Sequence, residues 1–298
     1  FFMSLFFLIS GFLVARSYDA KGGWPFVKGR LLRLGLPLLA WALLMIPLQI
    51  FVFGAPGGGA KAWPIDVGHL WFLEHLLLFS LAYALWRGLR GRRPRTDIAP
   101  RPPRAWSVLL FAVALALVSG LVRIAYPIDR WVYLLGFFRV AFADVPRDLS
   151  FFVLGLVAYR RRWLSAMTAR AGRVWLAAAA ILAALIAAYD LVLYDLFPIG
   201  EPAWGTVYVF WESLFCCAAC AGLLVLFREK AAMHGRLAAA LAKSQYAAYI
   251  FHVPVILAFQ YAILSVSLPP FAKFALVTAV SIPATFALAW LVRRPLHL

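Results

Sequence analysis

The chain has 298 residues, 65% of them hydrophobic and only 14% charged, with a mean hydropathy of +0.87 and a formal net charge of +17. A soluble domain carries about half apolar and about a quarter charged residues, so this balance excludes a soluble protein and reads as an all-α, polytopic membrane helix bundle. The charge is spread over separate loops and not gathered on one face, which argues against a nucleic-acid partner and for orientation in the bilayer, with attraction to anionic membrane lipids.

A spanning helix needs about 20 mostly apolar residues. Apolar runs predict spans at roughly 1–15, 31–53, 68–87, 105–126, 142–159, 174–196, 205–227, 244–265 and 271–291. The first run, "FFMSLFFLISGFLVAR", lacks the basic leader and small-residue cleavage site of a signal peptide. The chain is therefore expected to start inside a helix, as an N-terminally truncated piece. "GAPGGGAKAWPIDVG" and "RGRRPRTDIAPRPPR" read as loops by their Gly and Pro content. "WVYLLGFFRVAF", 131–142, is too short to cross and carries Arg139, so it predicts an interfacial or re-entrant piece. No internal repeat or soluble module interrupts the series, which predicts one transmembrane domain over 1–298.

Lys and Arg near helix ends are retained in the cytoplasm. Nine spans put all 29 Lys and Arg except Lys61, Arg123, Arg130, Arg139, Arg147 and Lys273 on one side. That side is read as the cytoplasm, with Phe1 outside, Leu298 inside and the chain as a multi-pass protein of a cell inner membrane.

Several polar groups lie within or beside these spans, where ionisable side chains are costly and mark pairing or chemistry. In "FVKGRLLRLGLPLL", Arg30 and Arg33 stand at i and i+3 near the cytoplasmic mouth, with Lys28 close by. The spacing suits a phosphate clamp, and it equally suits arginines that snorkel at a membrane edge. In "VGHLWFLEHLLLF", Trp71, Glu74, His75 and Leu78 fall on one helical stripe, while His69 lies near the outer interface. A Glu74–His75 pair is able to move protons, or to hold helices together as a polar contact. "YIFHVPVI" sets His252 two residues before Pro254, inside a helix that the proline loosens. Glu212, in "VYVFWESLF", is expected to form a buried ion pair with one of Arg123, Arg139 or Arg147. Asp190, Asp195 and Glu201 read as solvated loop residues. Cys216, Cys217 and Cys220 fall in one apolar run and read as packing residues, so no metal is expected.

"FFLISGFLVAR", "FVKGRLLRLGLPLL", "GHLWFLEHLLLF", "DLSFFVLGLVAYRRRWL" and "KSQYAAYIFHVPVI", in this order, resemble the membrane-bound acyltransferase 3 family across nearly the whole chain. The likeness is greatest to members that modify sugars or glucans. It implies a bundle of about ten helices that takes an acetyl- or succinyl-type group from cytoplasmic acyl-CoA and delivers it to a carbohydrate hydroxyl on the outer side. By the resemblance, the family's Arg-x-x-Arg falls on Arg30 and Arg33 as the donor site. Its "hLWFL" motif falls on His69 to Leu73, its Tyr-x-x-His-x-Pro on Tyr249, His252 and Pro254, and its Ser-Gly-Phe turn on Ser10, Gly11 and Phe12. His69, Glu74 and His252 are the catalytic candidates present. The family's first helix, with Arg or Lys ten residues before a catalytic His, is expected upstream of Phe1. A transporter or flippase for a lipid-linked or small polar substrate is the alternative from another class, although paired broken helices are not visible. A membrane acyltransferase of the other His-dependent type is a third reading, but its Asn and His arrangement is not seen.

Overall fold

The structure is a computed structural model that describes residues 2–53, 67–91, 99–128, 130–194, 200, 203–230 and 235–296. Nine long helical runs account for most of them and coincide with the nine expected spans. The first is α1, Phe2–Lys21. The second comprises α2, Gly23–Arg30, a π-helical turn at Leu31–Gly35, and α3, Leu36–Phe53. A short 3₁₀ turn, Gly68–Leu70, leads into α4, Trp71–Arg90, and α5 covers Ala105–Ala125. After a hairpin come α6, Val145–Arg160, the short α7, Trp163–Ala166, and α8, Ala169–Ala188, which ends in a π-helical turn, Tyr189–Leu193. The run closes with α9, Ala203–Lys230, α10, Arg236–Ala262, and α11, Pro270–Leu296.

Among the described residues, six helices are long and apolar enough to cross a membrane: Phe2–Lys21, Gly68–Arg90, Ala105–Ala125, Ala169–Leu193, Ala203–Lys230 and Pro270–Val292. The expected span at 142–159 is helical, but α6 has only 16 residues, and at 1.5 Å per residue it reaches about 24 Å against a hydrocarbon core of about 30 Å.

The segment at 131–142, expected as an interfacial or re-entrant piece, takes the form of an antiparallel hairpin. Strands β1, Trp131–Leu134, and β2, Phe138–Ala141, pair in the register Trp131 with Ala141 through Leu134 with Phe138. Its alternation of Trp, Val, Tyr, Phe and Arg favours strand over helix, and the antiparallel pairing satisfies backbone groups of both strands. The connection turns through Leu135 and Gly136, both at positive φ (55° and 79°). The tip carries exposed Leu134, Leu135 and Phe137.

The chain forms two compact units, Phe1–Ala231 and Ala232–Leu298. In the first, α1 is the hub, packing on α2, α4, α6 and α9. Its closest neighbour is α6, because Gly11 and Gly155 present bare backbone to each other's helix. A Cβ on Gly11 would collide with the Phe152 carbonyl, and one on Gly155 with the Leu8 carbonyl. Small residues let apolar helices approach closely where lipid supplies no hydrophobic drive between them. Gly172 and Gly222 do the same for α8 and α9, which are further tied by the Trp211 indole donating to the Leu182 carbonyl at 2.8 Å. Fully buried Phe7 packs against Trp71, Phe72 and Phe79, and Phe79 packs on Phe152, which fills the space between α1, α4 and α6. In the second unit α10 and α11 pack through Ala247, Ala248 and Ala289, with Phe286 beside them. The α10 helix runs unbroken through Pro254.

Candidate functional site

The first unit gathers its charged side chains into two clusters at opposite ends of its helices, with a polar group at the head of α4. At one end, Arg123 (α5), Asp144 and Arg147 (the start of α6) and Glu212 (α9) form a single ion-pair network. Glu212 accepts from Arg123 Nη2 at 2.6 Å and from Arg147 Nη1 at 2.7 Å. Arg147 also reaches Asp144 at 3.0 Å and Asp148 at 3.2 Å, and Arg123 lies 3.9 Å from Asp144. The ion pair expected for Glu212 is therefore made, with two arginines at once. Asp144 and the buried Asp148 join it; they lie within one helical turn of Arg147, a local pattern the sequence contains but that was not read from it. Three carboxylates facing two guanidiniums, on three helices, make this cluster a structural clasp.

At the same end, the head of α4 meets the hairpin. Glu74 is buried, and its Oε2 accepts from the Arg139 backbone N–H at 3.2 Å. His75 is buried beside it, with its ring between Trp71 at 5.4 Å, Phe138 at 5.3 Å and Phe79 at 6.0 Å. Its Nδ1 donates to the Trp71 carbonyl at 2.9 Å. A carbonyl only accepts, so the neutral ring carries its proton on Nδ1 and presents Nε2 as the basic nitrogen. The Arg139 guanidinium lies over the Trp131 ring at 4.2 Å, and Trp131 packs on Trp71 at 5.5 Å. His69 faces elsewhere. It sits in the 3₁₀ turn, half-buried, edge-on to Trp41 of α3 at 5.1 Å. Thus Glu74 and His75 share the hairpin side, and His69 the α3 side.

At the other end of α4, about 20 Å from Glu74 at 1.5 Å per residue, Arg87 joins Asp19 (α1), Tyr83 (α4) and Arg160 (the end of α6). Arg160 grips Asp19 with both guanidinium nitrogens, at 3.0 and 3.1 Å, and Arg87 lies 3.4 Å from it. The Tyr83 hydroxyl accepts from Arg160 at 2.9 Å and from Arg87 at 3.3 Å. Aromatic rings continue this cluster towards the first of the two predicted donor arginines. Arg87 lies over the Tyr18 ring at 5.3 Å, Tyr18 packs on the buried Phe26 at 5.4 Å, and Arg30 lies over Phe26 at 5.1 Å. Arg30 is half-buried and Arg33 exposed. The π-helical turn begins at Leu31, between them. Its i→i+5 bonding takes one more residue per ring than an α-helix, a local change of winding that the i, i+3 spacing does not predict. Sequence reasoning counted Arg87 and Arg160 only as loop charges and passed over Asp19. Only tertiary packing brings the three together.

In the second unit, His252 Nδ1 donates to the Tyr249 carbonyl at 2.6 Å, and the two rings lie 5.7 Å apart. Its Nε2 is again the basic nitrogen of the neutral ring. The three cysteines are free and buried along α9. Asp190 is exposed but lies in the π-helical turn Tyr189–Leu193 and not in the loop expected for it, whereas Asp195 and Glu201 lie outside the described residues.

A family model described as an acyltransferase domain, that of the acyltransferase 3 family, matches residues 1–294. No curated protein and no solved structure matches the chain significantly. The match spans nearly the whole sequence, so the chain belongs to this family and is a membrane acyltransferase.

Proposed function

We propose that this acyltransferase takes an acetyl- or succinyl-type group from cytoplasmic acyl-CoA and moves it to a hydroxyl of an extracytoplasmic carbohydrate. The observation that carries the reading is the layout along α4. A cationic cluster of Arg87 and Arg160, continued to Arg30 through the Tyr18 and Phe26 rings, forms a mouth-like end, and the buried Glu74 and His75 lie at the other. Arginine guanidiniums match phosphate oxygens in charge and geometry, so the mouth suits a phosphate-bearing donor, with Arg30 and Arg33 as its first contacts. The mouth falls on the side that the basic loops assign to the cytoplasm.

In the transfer, the acceptor hydroxyl oxygen bonds to the thioester carbonyl carbon as its proton passes to a histidine nitrogen. The carbon–sulfur bond breaks, and CoA leaves as the thiolate, which regains the proton. His69 and Glu74 are assigned to the acceptor side in the first unit. His252, with its Nε2 as the basic nitrogen, is the second unit's candidate for proton transfer. The packed aromatics around Phe7 and Phe79 exclude water that would otherwise hydrolyse the thioester.

Radiolabelled acyl-CoA supplied to the cytoplasmic face of vesicles carrying the protein tests this. Label on an external glycan supports the transfer. Movement of an unmodified substrate without label transfer overturns it in favour of a transporter. Replacing Arg30 and Arg33 with Ala is expected to weaken acyl-CoA binding about tenfold or more with membrane insertion intact. Unchanged donor affinity removes both arginines from the site.

A further inference from the structure

The two ionic clusters of the first unit differ in balance. The clasp formed by Arg123, Arg147, Asp144, Asp148 and Glu212 has more carboxylates than guanidiniums. The cluster at the other end has two guanidiniums, Arg87 and Arg160, and a single carboxylate, Asp19. Arg87 is 9% exposed and Asp19 20%, so the excess cation is partly withdrawn from water. Removing a charge from water without a matching counter-charge is costly. Tyr83 contributes only a neutral hydroxyl, shared between the two arginines. Among the described residues, the protein places one anion where the chemistry has room for more.

The geometry points to Arg87 and Arg160 as a second phosphate-binding pair of the donor site, with Asp19 as an internal anion that occupies the pair and yields it to the donor's diphosphate. The inference rests on the acyl-CoA reading given above and deepens it. CoA carries two separated phosphate groups, a diphosphate within the chain and a 3′-phosphate on the ribose. A single arginine pair does not serve both. Arg30 and Arg87 are joined through only two rings, Phe26 and Tyr18, so the pairs are neighbours. The diphosphate is the group nearer the thioester, and the more buried pair, Arg87 and Arg160, suits it. Arg33, exposed at the mouth, suits the 3′-phosphate. Arg160 already holds the Asp19 carboxylate with two parallel N–H···O contacts, the fork geometry that binds phosphate equally well.

Binding of dephospho-CoA, which keeps the diphosphate, and of pantetheine, which has no phosphate, to the detergent-solubilised full chain tests the inference. Asp19→Asn removes the competing anion and is expected to raise dephospho-CoA affinity about 3–10-fold, with pantetheine binding unchanged. A purely structural Asp19 gives the opposite sign, because loosening α1 from α6 lowers both melting temperature and affinity. Unchanged or weaker dephospho-CoA binding by a folded Asp19→Asn protein overturns the inference. Should that variant fail to fold, Arg160→Gln decides: it is expected to lose about tenfold in dephospho-CoA affinity and little for pantetheine, and wild-type affinity for dephospho-CoA overturns the proposal. Absence of any CoA binding by the wild-type chain sinks the donor reading and this inference together. CoA binding that is indifferent to Asp19 and Arg160 sinks this inference alone.

Discussion

At the residue scale, the same side-chain types do different work according to how their charges balance. Glu212 satisfies Arg123 and Arg147 together. Its replacement by Gln leaves Arg123 facing Asp144 at 3.9 Å. Breaking a buried pair by removing one member costs about 3–5 kcal/mol, and at 11–14% exposure the lower end is expected here, so Glu212→Gln lowers the melting temperature in detergent. Adding Arg123→Met to Glu212→Gln recovers part of the loss, because the stranded guanidinium is gone while Arg147 keeps Asp144 and Asp148. An additive pair of losses would show that the two residues do not interact. The Glu212 pairing was legible in the sequence, since a lone acid within an apolar run requires a cation. Asp19, Arg87 and Arg160 were not legible, because charges at helix ends are accounted for by the membrane edge and nothing local joins positions so far apart in the chain.

At the element scale, the α1–α6 seam sets the register that brings Asp19 to Arg160. The two helices run the same way, since Gly11 meets Phe152 and Asp19 meets Arg160 farther along both. Gly11→Ala is expected to force the backbones apart at a cost of about 1–3 kcal/mol and to loosen the Asp19–Arg160 ion pair across the seam. Gly88→Ala, where an added methyl meets nothing within 4 Å, is expected to stabilise α4 by about 0.5–1 kcal/mol. Thermal melts of the two variants should move in opposite directions, and a parallel shift would refute the close-approach account. The helical runs themselves were legible from apolar length alone. The hairpin was legible only as a segment too short to span, because its strand pairing depends on Gly136 turning the chain back. The π-helical turn at Leu31–Gly35, which begins between Arg30 and Arg33, has no signature in residue spacing.

At the scale of the whole molecule, orientation links the donor's side to the acceptor's, and α5 makes it testable in one helix. Its 21 residues extend about 31 Å, matching a hydrocarbon core of about 30 Å. Arg101 and Arg104 precede it, and the hairpin follows it. The basic-loop count assigns the arginines to the cytoplasm and therefore Leu135, 89% exposed at the hairpin tip, to the outside. Single cysteines at these positions report the assignment cleanly, because Cys216, Cys217 and Cys220 are all buried and react slowly. Leu135→Cys is expected to take up a membrane-impermeant maleimide on intact cells, whereas Arg101→Cys labels only after the membrane is permeabilised. The reverse pattern would put the Arg30, Arg87 and Arg160 mouth on the side where no acyl-CoA is supplied and remove the physical basis for a cytoplasmic donor. Labelling of both positions on intact cells would mean that α5 does not cross, and the alternation of loop charges would then lose the span on which its register depends.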